Sequence, residues 1–153
     1  MSASLEHTAI AVDQVDTRFL ESLMGYNARR ASLSIIGQFL DRMAVYDLRP
    51  VDFSVLVLVD DNPGITSRQI CATLSILPPN LVGMVNALEG RALLERKPHP
   101  NDRRAQGLHI AATGQAIMGQ ARKTAVQLER EATRRLSAAE RKTLMQLLQK
   151  IYL

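Results

Sequence analysis

The chain has 153 residues, 46% of them hydrophobic, with 19 Lys and Arg against 15 Asp and Glu. That length suits one domain with a core of its own, and the apolar share argues against a disordered chain. The net charge of +4 and isoelectric point near 9.6 favour a polyanionic partner, and the single cysteine, Cys71, excludes an internal disulfide and fits a reducing cytoplasm. The longest strongly apolar run, Val55 to Val59, is far shorter than the ~20 residues needed to span a bilayer, and no leader-like segment opens the chain. A cytoplasmic protein without membrane contact is expected.

Residues 1 to about 16 show no sustained hydrophobic pattern and are expected to form a flexible arm. From Phe19 to Ala44 apolar residues recur at three- and four-residue intervals, which predicts one long amphipathic helix stopped near Arg49-Pro50. A helix that long in so small a domain calls for a partner beyond its own chain. Val51 to Asp61 predicts a second, more fully buried helix. Its VLVLV run would also suit a strand, but Pro50, Asp52 and the Asn62-Pro63-Gly64 turn favour helix.

Thr66 with Gln69 is a capping-box pattern that opens a third helix, with Ile70, Cys71 and Leu74 inward and an end near Ser75-Ile76. Pro78-Pro79 start a fourth, since a proline at the first helical position sacrifices no hydrogen bond. Its inward residues are Leu81, Met84, Val85 and Leu88, and Gly90 is expected near its C-cap. A hairpin follows, with Leu93-Leu94 and Leu108–Ile110 as its apolar positions and Asn101-Asp102-Arg103-Arg104 in its turn. Thr113 is the expected cap of a fifth helix striped by Ile117, Ala121, Ala125, Leu128 and Ala132. Ser137 with Glu140 opens the last helix, which carries Leu144, Leu147, Leu148 and Ile151.

The predicted fold is mainly α with a small β-hairpin wing: four helices, two strands, two helices, with a helix-turn-helix at the third and fourth. A single domain over residues 17–153 is expected, its DNA-binding lobe over about 50–112 and its dimerisation helices over about 17–48 and 113–153. Between Arg91 and Arg104 five cations face two anions. Arginine on a protruding ribbon suits the narrow, electronegative minor groove of DNA.

From Phe39 to Gly114 the chain resembles the MarR (multiple antibiotic resistance regulator) family. The matching pieces are Leu48-x-Pro50, Leu56, Pro63-Gly64-Ile65-Thr66, Leu81 to Leu88 followed by Gly90, Leu93-Leu94-x-Arg96, Asp102-Arg103-Arg104, Leu108-x-Ile110 and Thr113-Gly114. The Asp-x-Arg signature at Asp102 and Arg104 is the most specific. The resemblance implies a homodimeric transcriptional regulator, usually a repressor, on a pseudo-palindromic operator in double-stranded DNA. It also implies release by a small phenolic, aromatic-acid or other anionic effector bound between the dimerisation helices and the DNA-binding lobe. Two positions depart from the pattern: Cys71 stands where a small alanine is usual, and the recognition helix opens with Pro78-Pro79 instead of polar residues.

Arg104 is the leading candidate for the minor groove, with Asp102 expected to preorganise its guanidinium through a bidentate pair. The plainer alternative is a solvated turn with a surface salt bridge of about 0–1 kcal/mol. Arg96, Lys97 and Arg103 either meet phosphates or solvate the hairpin. On the fourth helix the outward set is Pro79, Asn80, Gly83, Asn86 and Ala87, small and uncharged. Asn80 lies in the first turn, where base contact is usual, and asparagine can pair with adenine. Gly83 is either a tolerated surface glycine or a position that lets the helix axis approach the groove edge. Ser67, Arg68 and Gln69, at the start of the third helix, can hold a phosphate or form an ordinary exposed helix start.

Candidate effector-binding residues are Tyr26, Arg29, Arg30, Phe39, Arg42 and Phe53. Two cations beside an aromatic suit an aromatic carboxylate or its coenzyme A thioester, and the PPNLVG run looks like members that regulate aromatic-acid catabolism. Against this, aromatics at helical spacing are more often core, and arginines on a long helix more often solvated. Cys71 invites a redox-sensing alternative, but its place beside Ile70 on the packed face predicts an inert thiol. His7, His99 and His109 show no metal-ligand spacing, and neither a nucleophile elbow nor a phosphate-cradling loop is present, so no enzyme, metal or cofactor is expected. The remaining rivals are a winged-helix module whose basic wing binds an acidic protein and a small enzyme of unrecognised class.

Overall fold

Side chains that compete for backbone hydrogen bonds divide the N-terminal helix in two. The computed structural model describes residues 14–153, so most of the expected arm, His7 included, lies outside the described residues. Helix α1 (Arg18–Glu21) is a single turn, and α2 (Met24–Met43) starts after a break at Ser22 and Leu23. The single helix expected from Phe19 onward is therefore interrupted. Ser22 Oγ donates to the Phe19 carbonyl at 2.6 Å, and Asn27 Nδ2 donates to the carbonyls of Glu21 and Leu23 at 2.7 and 2.8 Å. Those bonds satisfy carbonyls at a helix end without continuing the ladder. Two compact units, Met1–Ser34 and Ile35–Leu153, divide within α2. In the first, Phe19, Leu20, Leu23, Met24 and Leu33 are exposed.

In the second unit α2 buries Phe39 and Met43 and ends in a 3-10 turn, Ala44–Tyr46. Helix α3 (Pro50–Asp61) starts with proline at its first position. The buried carboxylate of Asp52 accepts the Arg49 backbone N–H at 3.1 Å and its guanidinium Nε and Nη2 at 2.8 and 3.0 Å, closing the helix start. Val55, Leu56 and Val59 are buried, and Val57 and Leu58 pack half-buried against the same core, as an all-round apolar helix requires. The core continues through Ile70, Leu81, Val85, Leu88, Leu93, Leu94, Leu108, Met118, Ala121 and Leu128.

After the Asn62-Pro63-Gly64 turn comes a strand absent from the sequence reading, β1 (Ile65–Thr66). It pairs antiparallel with β3 (Asp102–Ile110), Ile65 opposite Leu108, and β3 pairs with β2 (Leu94–His99), giving a sheet of order β1-β3-β2. Two residues are too few to display period-two alternation. Gly107 permits the close approach of β1, since a Cβ there would sit 2.9 Å from the Gly64 carbonyl oxygen. The strands of the hairpin also run much further than their apolar ends, because the outer ribbon is solvated.

Helices α4 (Ser67–Leu74) and α5 (Pro78–Gly90) fill the segment between β1 and β2. Helix α6 (Ala112–Ala132) begins without a side-chain cap, Ala111 holding the position expected of Thr113. The residue just before β2 fixes that start instead: the Ala111 N–H donates to the Leu93 carbonyl at 3.0 Å. Arg122 of α6 reaches Asp60 and Asp61 of α3 at 2.9 and 2.7 Å, Tyr46 Oη meets Thr124 Oγ1 at 3.1 Å, and Arg42 pairs with Glu131. No single helix among the described residues is long and apolar enough to cross a membrane.

Helix α7 (Ala138–Tyr152) carries the expected capping box: Ser137 Oγ accepts the Glu140 N–H at 3.2 Å, and Glu140 Oε2 accepts the Ser137 N–H at 2.7 Å. The hydrogen bonds from Ser137 hold the Glu140 carboxyl below its ordinary pKa. A depressed carboxylate adds stability above its unfolded pKa, near 4.3, that is lost as pH falls through the lower folded value. Melting followed from pH 5.5 down to 3 should therefore show an acid-dependent loss in the wild type that is smaller in Glu140→Gln. On α7 Leu144, Leu147, Leu148 and Ile151 are between 42% and 66% exposed, an apolar stripe left largely uncovered among the described residues.

Candidate nucleic-acid interface

Local chemistry sets the two helices that follow β1. Thr66 Oγ1 accepts the Gln69 N–H at 3.3 Å while Gln69 Oε1 accepts the Thr66 N–H at 2.9 Å, the predicted capping box. Gln69, expected at a phosphate, has its amide oxygen committed to that cap; Ser67 and Arg68 are exposed beside it. Helix α4 ends where Ser75 takes the left-handed conformation (φ 53°), and the helix direction turns by 116° into α5. That angle lies within the range of helix-turn-helix units.

On α5, Leu81, Val85 and Leu88 are buried and Met84 half-buried, while Pro79, Asn80, Gly83, Asn86 and Ala87 are exposed together. The outward set expected from the sequence thus shares one face. Val82, 55% exposed, joins it; a valine in an apolar run gave no signal of facing out. A Cβ on Gly83 would meet nothing within 4 Å, so packing within the chain does not require glycine there. The C-cap differs from expectation. Gly90 is the last helical residue, and Ala92 (φ 55°) takes the left-handed position. The Leu93 N–H donates to Leu88 O at 3.0 Å and the Ala92 N–H to Glu89 O at 2.9 Å, a Schellman motif without glycine. The Arg91 guanidinium donates to the carbonyls of Tyr46 and Asp47 at 2.9 and 2.7 Å, anchoring the end of the helix.

The hairpin projects next to this face. Its ladder shifts register at Pro98/His99, so that His99 opposes Asp102, and His99 Nδ1 accepts the Asn101 N–H at 3.2 Å. Arg103 and Arg104 are exposed and make no ion pair among the described residues. Asp102 does not hold the Arg104 guanidinium as expected. Its Oδ1 accepts the Arg104 backbone N–H at 2.9 Å, a local Asx-type bond that shapes the turn and leaves the guanidinium unengaged. Lys97 pairs with Glu95 at 3.0 Å. Arg96, expected at a phosphate, is turned back onto α5, where it pairs with Glu89 and donates to Asn86 Oδ1 at 2.7 Å.

The expected effector residues are divided between the units: Tyr26, Arg29 and Arg30 in the first, Phe39, Arg42 and Phe53 in the second. Phe39 and Phe53 meet edge to face with centroids 5.7 Å apart, and Phe39 is part of the core, while Arg42 is neutralised by Glu131. Cys71 is half-buried against the core, more accessible than its sequence neighbours suggested. Among the described residues no three His, Cys, Asp or Glu side chains are grouped to hold a metal.

The sequence profile of the MarR family matches residues 46–105, from the end of the 3-10 turn after α2 to the outer part of the wing. The chain is 27% identical to a putative transcriptional regulatory protein for the hcr operon of Thauera aromatica, over 84% of this chain and 78% of that one. It is 31% identical to the multiple antibiotic resistance protein MarR of Escherichia coli K12, over 78% and 87%. Among solved structures, the transcriptional repressor CouR bound to a 23-mer DNA duplex superposes with a TM-score of 0.85 at 38% identity, covering 91% of this chain and 99% of that one. CouR bound to p-coumaroyl-CoA superposes with a TM-score of 0.81 at 37% identity, over 90% and 96%. With the helix-turn-helix, the three-stranded winged sheet and the Asp102-Arg103-Arg104 turn in place, the chain belongs to the MarR family of winged helix-turn-helix transcriptional regulators.

Proposed function

We propose that this protein is a homodimeric repressor that binds a pseudo-palindromic operator and releases it when a small aromatic, anionic effector binds. The observation that carries the reading is the pairing of an exposed, uncharged α5 face with a ribbon whose tip presents Arg103 and Arg104 unengaged by any carboxylate among the described residues. A helix face without charge enters a major groove by shape and a few polar contacts, while the neighbouring arginines take the minor groove and phosphates. Ser67, Arg68 and Lys97 flank this surface as phosphate contacts. The apolar stripe of α7 supports a second copy of the chain as its cover, because two such readers on one two-fold axis match a palindrome.

Gel shifts with the protein's own upstream DNA across a salt series test the reading. Sequence-selective retardation with a steep negative salt slope is expected. Equal binding to any duplex would leave only a basic surface, and no binding would favour a wing that contacts an acidic protein. An aryl-CoA thioester is the effector class favoured by the relation to CouR, with Arg29 and Arg30 as candidate cations for its phosphates. Adding p-coumaroyl-CoA should raise the melting temperature and abolish the gel shift; a titration with neither effect assigns the effector to another chemical class. Gly83 offers an internal check on the groove contact. Gly83→Ala should stabilise the fold by about 0.5–1 kcal/mol, since helix propensity improves in open space, yet weaken operator binding if the helix axis approaches the groove there. Melting and binding measured on the same preparation would move in opposite directions.

A further inference from the structure

We infer that Arg96 is a positioning residue that sets the hydrogen-bonding polarity of Asn86, making Asn86 a donor-type reader of base edges; the inference rests on the DNA-binding function proposed above. A guanidinium only donates, so the atom it meets on an asparagine amide must be the carbonyl oxygen. Arg96 Nη2 lies 2.7 Å from Asn86 Oδ1, and the same guanidinium is anchored by the Glu89 carboxylate one turn further along α5. Glu89 and Arg96 are half-buried while Asn86 is exposed. The clamp therefore spans from strand β2 to helix α5 and fixes an amide that would otherwise flip freely.

With Oδ1 engaged by Arg96, the exposed chemistry of Asn86 is its two N–H donors. Those complement the acceptor edges of the major groove, guanine O6 and N7 or thymine O4. Pairing with adenine through N6 and N7 asks the same oxygen for a second bond through its other lone pair while Arg96 holds its orientation, so donor-only edges are the better match. Asn80 has no such clamp among the described hydrogen bonds, so the two asparagines of α5 are not equivalent readers. The arrangement also explains why Arg96 is absent from the exposed cations of the wing: its charge is balanced by Glu89 and its fork is occupied.

Selection from a randomised duplex library by the full-length protein tests this, comparing wild type with Asn86→Asp, Arg96→Gln and Arg96→Lys. Asn86→Asp keeps the contact to Arg96 but replaces donors with acceptors. It should change the favoured base at one position of each half-site towards a donor edge, such as cytosine N4, and weaken binding to the wild-type sequence by about tenfold, the scale of one mismatched base pair. Arg96→Gln, whose amide can either donate or accept and so no longer fixes the polarity of Asn86, should broaden the preference at that same position, and Arg96→Lys, which like arginine only donates, should restore most of it. Wild-type preferences in both Asn86→Asp and Arg96→Gln, or a loss that is uniform over all sequences, would overturn the assignment and leave Arg96 as a packing residue. A wild-type protein that selects no sequence would overturn the proposed function together with this inference, so the two failures are distinguishable.

Discussion

Gly114→Ala should lower folding stability by about 3 kcal/mol or more, the upper part of the range for overpacked sites, and the melting temperature by about 10 °C. A Cβ built on Gly114 would lie 2.0 Å from the Leu93 carbonyl oxygen and 2.8 Å from its carbon. Both obstacles are backbone, so no rotamer change relieves them. The same oxygen already accepts the Ala111 N–H, which ties the start of α6 to the end of the α5–β2 connection. Adding one methyl group forces either that bond to break or α6 to slide along the sheet. Thermal melting of the purified variant checks the expectation, with Gly119→Ala as the comparison because a Cβ there meets nothing within 4 Å. Equal melting of the two variants would show that the contact at Leu93 is not limiting.

Arg104→Ala should weaken operator binding by about 1–3 kcal/mol, roughly 5- to 150-fold, while leaving the melting temperature and the oligomeric state unchanged. Its side chain is exposed and makes no hydrogen bond or ion pair among the described residues, the bond to Asp102 coming from its backbone N–H. Removing the guanidinium therefore takes little from the fold and removes the groove contact proposed for it. Arg104→Lys keeps the charge but loses the planar fork, and it should recover only part of the affinity. Fluorescence anisotropy on one operator duplex at fixed salt is the measurement; undiminished affinity in Arg104→Ala would remove the wing tip from the reading mechanism.

What the sequence made legible was chiefly what depends on neighbours three or four residues away. Thr66 with Gln69 and Ser137 with Glu140 form the capping boxes their spacing predicts, and Pro50 and Pro78 sit at first helical positions. Periodicity could not reveal the break at Ser22, because the apolar rhythm runs on through Leu23 and Met24 while the interruption is made by polar side chains bonding carbonyls. Strand β1 stayed hidden for another reason: its existence depends on Leu108 and Gly107, more than forty positions away. The wing shows the same boundary within one turn of chain. Asp102, Arg104 and Arg96 could be singled out as residues, yet their partners could not, since the choice between a backbone amide, a guanidinium and a helix side chain is set by strand register.

Leu93 belongs to no helix and no strand, yet its peptide groups hold two helices. Its N–H holds the last turn of α5 and its carbonyl holds the first turn of α6, with Gly114 pressed on the same oxygen. Mechanically that makes one leucine the fulcrum of a 21-residue lever. With backbone packed on both sides of the pivot, α6 cannot shift against the end of α5 without breaking one of these bonds.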